Sequence, residues 1–191
     1  SIDLSTNEGT TTYKCAAMWL ASGLSAGAVN IRNNIFSIRQ TIGNRWAIYS
    51  NSANTVFSAI NYNDYYSAST TQLGFLTSSH ANLAAWQGAS GGDANSVSVN
   101  PSFTSTTDLH LTGASPLDGL ATPIAGVIRD IDGDTRNATT PDIGADEFTP
   151  PNCTNPVTNN FPATASITDI CASGTAVLSA SGYSFGIGIQ Y

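Results

Sequence analysis

The sequence predicts an all-β chain: stacked parallel β-helix coils with a capping region over 1–148, a Pro-rich linker over 149–156, and the truncated start of a β-sandwich over 157–191. Three observations predict it. Ser, Thr and Asn supply 63 of the 191 residues, while charged residues make up only 10%, against roughly a quarter in ordinary soluble domains. Asn33-Asn34-Ile35-Phe36 recurs as Asn63-Asp64-Tyr65-Tyr66 at an offset of 30, and periods of roughly 20–50 residues mark stacked arrays. Beyond Thr149-Pro150-Pro151, strand-like runs at Ala163–Ile167, Thr175–Ala180 and Ile187–Tyr191 recur about every 12 residues, the spacing of a sandwich.

Taken in order, Val29 and Ile31 precede the first copy of the repeat, and Val56 and Ile60 the second. Both pairs alternate with polar residues, and Ala47-Ile48-Tyr49 lies between them as a further short strand. The β-branched and aromatic content marks strands. Asn at the bends of a parallel stack can satisfy its amide on the Asn of the next layer. A single helix follows at Asn82-Leu83-Ala84-Ala85-Trp86-Gln87, with an Asn cap, good helix formers and Gly88 as its stop. Leu83 and Trp86, three residues apart, share one side of it. Val97, Val99, Phe103, Leu109 and Leu111 then predict short strands that Pro101, Pro116 and Pro123 confine to edges or turns. The stretch 81–148 therefore reads as a cap that keeps the last coil from pairing edge to edge. Pro150-Pro151 cannot lie in a helix or a central strand, which places a domain boundary there. The three runs beyond it fall short of a complete sandwich. The start at Ser1 without a basic-then-apolar leader, and the end in a strand-like run, predict a monomeric segment of a larger exported chain.

Charge excludes several functions. Six Lys+Arg and a net charge of −7 leave little to neutralise phosphates, so nucleic acid is not an expected partner. No apolar run approaches the 18 or so residues of a membrane span. The small-polar, acidic composition suits an extracellular protein. Of the three cysteines, Cys153 and Cys171 are 18 apart and form a candidate disulfide; the other reading is three free thiols.

Asp130, Asp132, Asp134, Asp142, Asp146 and Glu147 place six of the 13 acids within 18 residues. Asp130, Asp132 and Asp134 alternate around Gly133, as in a loop that begins to assemble the six to eight oxygens calcium takes. The spacing departs from an EF-hand, which has Gly sixth and Glu twelfth; here Gly is fourth and Pro141 stands twelfth. The competing reading is a turn whose carboxylates accept backbone N–H groups and pair with Arg129 and Arg136. Calcium is the one cofactor the sequence raises. Gly23-Leu24-Ser25-Ala26-Gly27 and Gly88-Ala89-Ser90-Gly91-Gly92 match Gly-x-Ser-x-Gly, but neither lies between a strand and a helix as a nucleophile elbow does. His80 and His110 are the only His bases, and Asp108 two residues before His110 makes no triad by itself. Trp46, Tyr62, Tyr65 and Tyr66 are candidate sugar-stacking residues, with ladder packing as their alternative role.

The ordered set Leu83-Ala84-Ala85-Trp86-Gln87, Asp93-Ala94-Asn95-Ser96, Asn100-Pro101-Ser102-Phe103, Asp108-Leu109-His110-Leu111, Ser115-Pro116, Asp130-Ile131-Asp132-Gly133-Asp134-Thr135-Arg136 and Pro141-Asp142-Ile143-Gly144-Ala145-Asp146-Glu147-Phe148 resembles the C-terminal end of bacterial right-handed parallel β-helix (pectate-lyase-like solenoid) surface proteins. The stretch from Cys153 looks like the start of an Ig-like or PKD-like domain. The resemblance implies a structural segment of a secreted cell-surface protein acting in adhesion or glycan binding. Its alternative is a fragment of an extracellular polysaccharide lyase or glycosidase whose catalytic coils lie upstream. That scaffold carries several activities and singles out none.

Overall fold

The structure, a computed structural model, describes residues 1–7, 12–69 and 72–151, and the backbone of 163–165 and 178–180. It divides into two compact units, Ser1–Thr149 and Pro150–Tyr191.

The first unit opens with strands β1 (Ile2–Leu4), β2 (Lys14–Leu20), β3 (Val29–Arg32), β4 (Ile35–Ile38) and β5 (Asn44–Ser50). A 3-10 turn at Asn54–Val56 leads to β6 (Phe57–Asn61), β7 (Asp64–Ser67), β8 (Gly74–Leu76) and β9 (Ser78–His80), and then to helix α1 (Leu83–Ser90). Three small sheets result, in the orders β1-β4-β7, β2-β5-β8-β9 and β3-β6. All their pairs are parallel except β8 with β9, which turns back antiparallel.

This corrects the predicted fold class. The described chain is mixed α/β, three small and mostly parallel sheets with one helix, and is neither a β-helix solenoid nor a closed sandwich. The physical reason lies after β9. The antiparallel turn and α1 end the parallel ladders, and from 91 to 148 the described residues make only isolated bridges: a parallel one of Asp64 with Val97, and antiparallel ones of Phe103 with Leu111 and Arg129 with Thr135. Repeated Pro and positive-φ Gly at 119, 126, 133 and 144 break that stretch into turns. In the second unit the described strands are β10 (Ala163–Ala165) and β11 (Leu178–Ala180), one antiparallel pair, and a single pair closes no sandwich. Cys153 and Cys171 lie outside the described residues. Among the described residues no helix is long and apolar enough to cross a membrane.

The repeat does mark strand neighbours, with a slip of one residue. The alignment by composition set Ile35 over Tyr65, whereas the sheet pairs Ile35 with Asp64 and Phe36 with Tyr65. Because side chains alternate, the slip exchanges which residues share a face. The same slip couples Asn34, rather than Asn33, to Asn63, the Asn34 N–H donating to Asn63 Oδ1 at 3.0 Å. Helix α1 keeps its Asn cap, Asn82 Oδ1 accepting from the Ala85 N–H at 3.0 Å, but runs through Gly88 and stops at Gly91, whose φ of 74° needs no Cβ.

Two apolar clusters organise the unit. The first gathers Leu20, Ile31, Phe36, Ile38, Ile48, Val56, Ile60, Tyr65 and Trp86 between the sheets and the helix. The second gathers Ile35, Phe103, Leu111, Leu117 and Ile143 under the turns. Trp86 is wholly buried against Gly74, where any Cβ would come within 2.5 Å of the indole. Its Nε1 donates to Asp93 at 2.8 Å, and that buried carboxylate also accepts from Tyr65 Oη, Ser96 Oγ and Asn63 Nδ2. Four donors satisfy a carboxylate that burial would otherwise penalise heavily. Asp64 is served less well: Oδ1 accepts from the Val99 N–H at 3.0 Å, while Oδ2 is buried without a partner. Burial pushes its pKa up to about 8, so the acid stays protonated at neutral pH.

Candidate functional site

Two arrangements can do chemistry or binding. The first is an aromatic face on sheet β2-β5-β8-β9. Parallel register places Trp19 beside Tyr49 and Tyr49 beside Phe75. Strands spaced about 4.8 Å apart bring such in-register rings into stacking range. The Trp19 and Tyr49 rings stack at 4.0 Å with 17° between planes, and those of Tyr49 and Phe75 at 4.3 Å with 8°. Trp46 meets Tyr49 and Phe75 edge-on at 4.9 and 5.5 Å, its Nε1 donating to Ser79 Oγ at 3.0 Å. Trp46 is 3% and Tyr49 5% exposed, but Trp19, on the edge strand, is 46% exposed. One indole is thus presented to solvent, stacked on Tyr49, which Phe75 and Trp46 hold in turn.

Of the aromatics singled out in the sequence, Trp46 supports this stack but is covered by it. Tyr65 is fully buried in the Asp93 network, its phenol raised well above its usual pKa by burial first and by the Asp93 charge second. Tyr62 and Tyr66 are half-buried, Tyr62 at a φ of 57° in the turn before β7. Trp19 was missed. The offset of 30 seen in the Asn repeat carries Trp19 onto Tyr49, which was the available signal.

The second arrangement centres on His110. Its Nδ1 lies 2.5 Å from Asp108 Oδ1 and its Nε2 2.9 Å from Asp132 Oδ2. The Asp108 hydrogen bond raises the imidazole pKa first and the Asp132 charge adds to it, while the Asp108 carboxyl is lowered in turn. Asp146, buried, approaches the same point, and beside it opens a cavity of about 330 Å3 lined by Thr107, Leu109, Ile131 and Ala145. Among the described residues no Ser, Thr or Cys hydroxyl or thiol hydrogen-bonds to a His ring, so Asp108 and His110 meet without a nucleophile. Ser90 of the second Gly-x-Ser-x-Gly string accepts from the Gly92 N–H instead.

Asp130, Asp132 and Asp134 do not converge. Asp130 Oδ1 accepts from the N–H groups of Asp132 and Asp134 at 3.0 and 2.7 Å, and its Oδ2 from that of Glu147 at 3.1 Å. Burial pushes the Asp130 carboxyl up, but these N–H donors together outweigh it and hold the pKa below the usual range. Asp132 turns to His110, and Asp134 contributes backbone to the turn. The other acids brace loops likewise. Asp142 accepts from the Gly119 and Phe148 N–H groups, Glu147 from those of Asn137 and Asp142, and Asp146 Oδ2 from that of Leu111 at 2.7 Å. The arginines serve carbonyls: Arg129 donates to Gly133 O, and the buried Arg136 to Gly144 O and Asp142 O, with Glu147 3.5 Å away. Cys15 is free, its thiol 2.6 Å from Gln40 Oε1.

No family model matches the chain, nor does any curated protein or solved structure.

Proposed function

We propose that the chain is a non-catalytic, carbohydrate-binding segment of a protein displayed outside a bacterial cell, acting in adhesion or glycan binding, with neutral glycans as its ligands. The single observation that carries the reading is the half-exposed Trp19 indole, stacked on a Tyr49 ring that Phe75 and Trp46 hold from behind. A sugar ring offers a face of C–H groups between polar edges, which a rigid aromatic surface covers at little entropic cost. The net charge of −7 with six Lys+Arg repels acidic polysaccharides and leaves uncharged ones as the fitting class. A surface rich in Ser, Thr and Asn supplies short hydrogen-bonding groups around such a platform and suits exposure outside the cell.

Affinity electrophoresis through gels containing neutral polysaccharides tests the reading. Retardation of the wild-type chain should fall at least tenfold in apparent affinity in Trp19→Ala, whose unchanged melting temperature shows that the fold persists, and return in part with Trp19→Phe. Equal retardation of wild type and Trp19→Ala, or none with any neutral glycan, overturns it.

A further inference from the structure

We infer that His110, Asp132 and Asp146 form a binding site for a divalent first-row transition ion, with zinc the best-fitting species. The three residues come from three separate stretches of chain, and one donor atom of each lies within 4.8 Å of the others. Among the described residues this is the one group of three or more His, Cys, Asp or Glu whose ligating atoms converge in this way. Bonds of about 2.0–2.1 Å place ligand atoms roughly 3–4 Å apart, so closure asks about an ångström of movement. His110 and Asp132 are free to supply it, with side chains 46% and 53% exposed.

Three further features point to a cation. Asp108 takes up Nδ1 of His110, which leaves Nε2 as the atom turned toward Asp132. A carboxylate on the far ring nitrogen is the usual support of a metal-bound imidazole, fixing the ring and its tautomer. Asp146 is a buried carboxylate with a single backbone donor, Leu111 N–H. The nearby arginines are committed to carbonyls and to Glu147, so neither of them pairs with Asp146. The adjoining cavity of about 330 Å3 gives room for the waters that would complete the coordination shell. One imidazole with two carboxylates suits zinc and its neighbours. Calcium and magnesium prefer shells made wholly of oxygen. The site is therefore distinct from the Asp130-Asp132-Asp134 loop, although it borrows Asp132.

The test uses the full 191-residue chain with Cys15, Cys153 and Cys171 replaced by Ser, so that thiols contribute nothing. Zinc binding is followed by calorimetry, and cobalt substitution by its visible d–d bands. The expected result is one ion per chain, weakened at least tenfold in His110→Ala and about 10- to 100-fold in Asp108→Asn, the range typical of lost outer-shell partners. Asp134→Asn should bind as the parent does, and calcium should not compete. Because His110 is exposed, its loss should leave the circular dichroism spectrum unchanged; Asp146→Asn, which touches the Leu111 N–H, is read only if its spectrum also holds. Equal zinc affinity in His110→Ala, displacement by calcium at equal concentration, or no zinc binding at all overturns the inference. Each readout is independent of glycan binding.

Discussion

Between residues 1 and 96 the chain is held by strand ladders and by apolar side chains packed between sheets and helix. Between 97 and 148 a second apolar cluster is joined by carboxylates that brace the turns. There Asp130, Asp142, Asp146 and Glu147 each accept backbone N–H groups that no sheet satisfies. Both halves face one requirement, since buried backbone groups need partners. The first meets it with parallel pairing, whereas the second, broken by Pro and Gly, meets it with side chains. They join at Asn33, whose side chain exchanges hydrogen bonds with the Thr122 backbone and whose carbonyl accepts from the Gly144 N–H. At Gly144 a Cβ would come within 2.7 Å of Ile35. The comparison also divides labour: the exposed indole belongs to the sheets, and the His110 cluster to the turns.

The largest expected effect lies in the sheets. Phe36→Ala empties a fully buried position packed on Tyr65 and should cost about 3–5 kcal/mol, alike at pH 5 and pH 8, by urea denaturation. Comparable in size over its whole pH range is the effect of Asp64, on β7 and bridged to Val97. Its folded pKa of about 8 stands above the ordinary carboxyl value, so the folded state holds a proton that the unfolded chain has lost. Stability is therefore greatest below pH 4 as far as this group is concerned, and declines as pH rises to about 8, by up to about 1.4 kcal/mol per unit. Asp64→Asn should remove that decline above pH 6, where Asp142 ceases to add to it. Asp142 is itself pushed up to about 6, chiefly by burial, with the charges of Glu147 and Asp118 adding.

Asp142→Ala sharpens the contrast from the other side. It leaves the Gly119 and Phe148 N–H groups without their acceptor and should cost about 1–3 kcal/mol, with a lower urea midpoint and an unchanged slope. A cost below about 0.5 kcal/mol would show that loop packing rather than carboxylates holds 97–148. The smallest effect belongs to Asp132→Ala. Measured in EDTA, it should leave the urea midpoint unchanged within error, since the solvent-exposed pair with His110 contributes little.

Much of this was legible in the sequence where the signal is local. The Asn82 cap needs only its neighbours. The Asn33 and Asn63 repeat correctly brought two strands together, but composition could not set a register that Phe36 and Tyr65 decide by packing. The fold class failed because two repeat copies say nothing of where stacking stops, and β9 reverses after the third strand of its sheet. The acidic run was legible as a cluster, yet its carboxylates divide between backbone N–H groups and His110 according to distant loop positions. Trp19 looked unremarkable beside Trp46 because exposure depends on which strand is the edge. The Asp108 and His110 contact was visible as spacing; its third and fourth members lie 22 and 36 residues beyond His110.

The most direct measurement is hydrogen exchange by mass spectrometry across the chain, with and without a saturating neutral oligosaccharide. The account predicts added protection confined to 14–20, 44–50 and 74–76, the strands under the Trp19 face, and absent in Trp19→Ala. Protection centred on 105–148, or protection that survives Trp19→Ala, would contradict it.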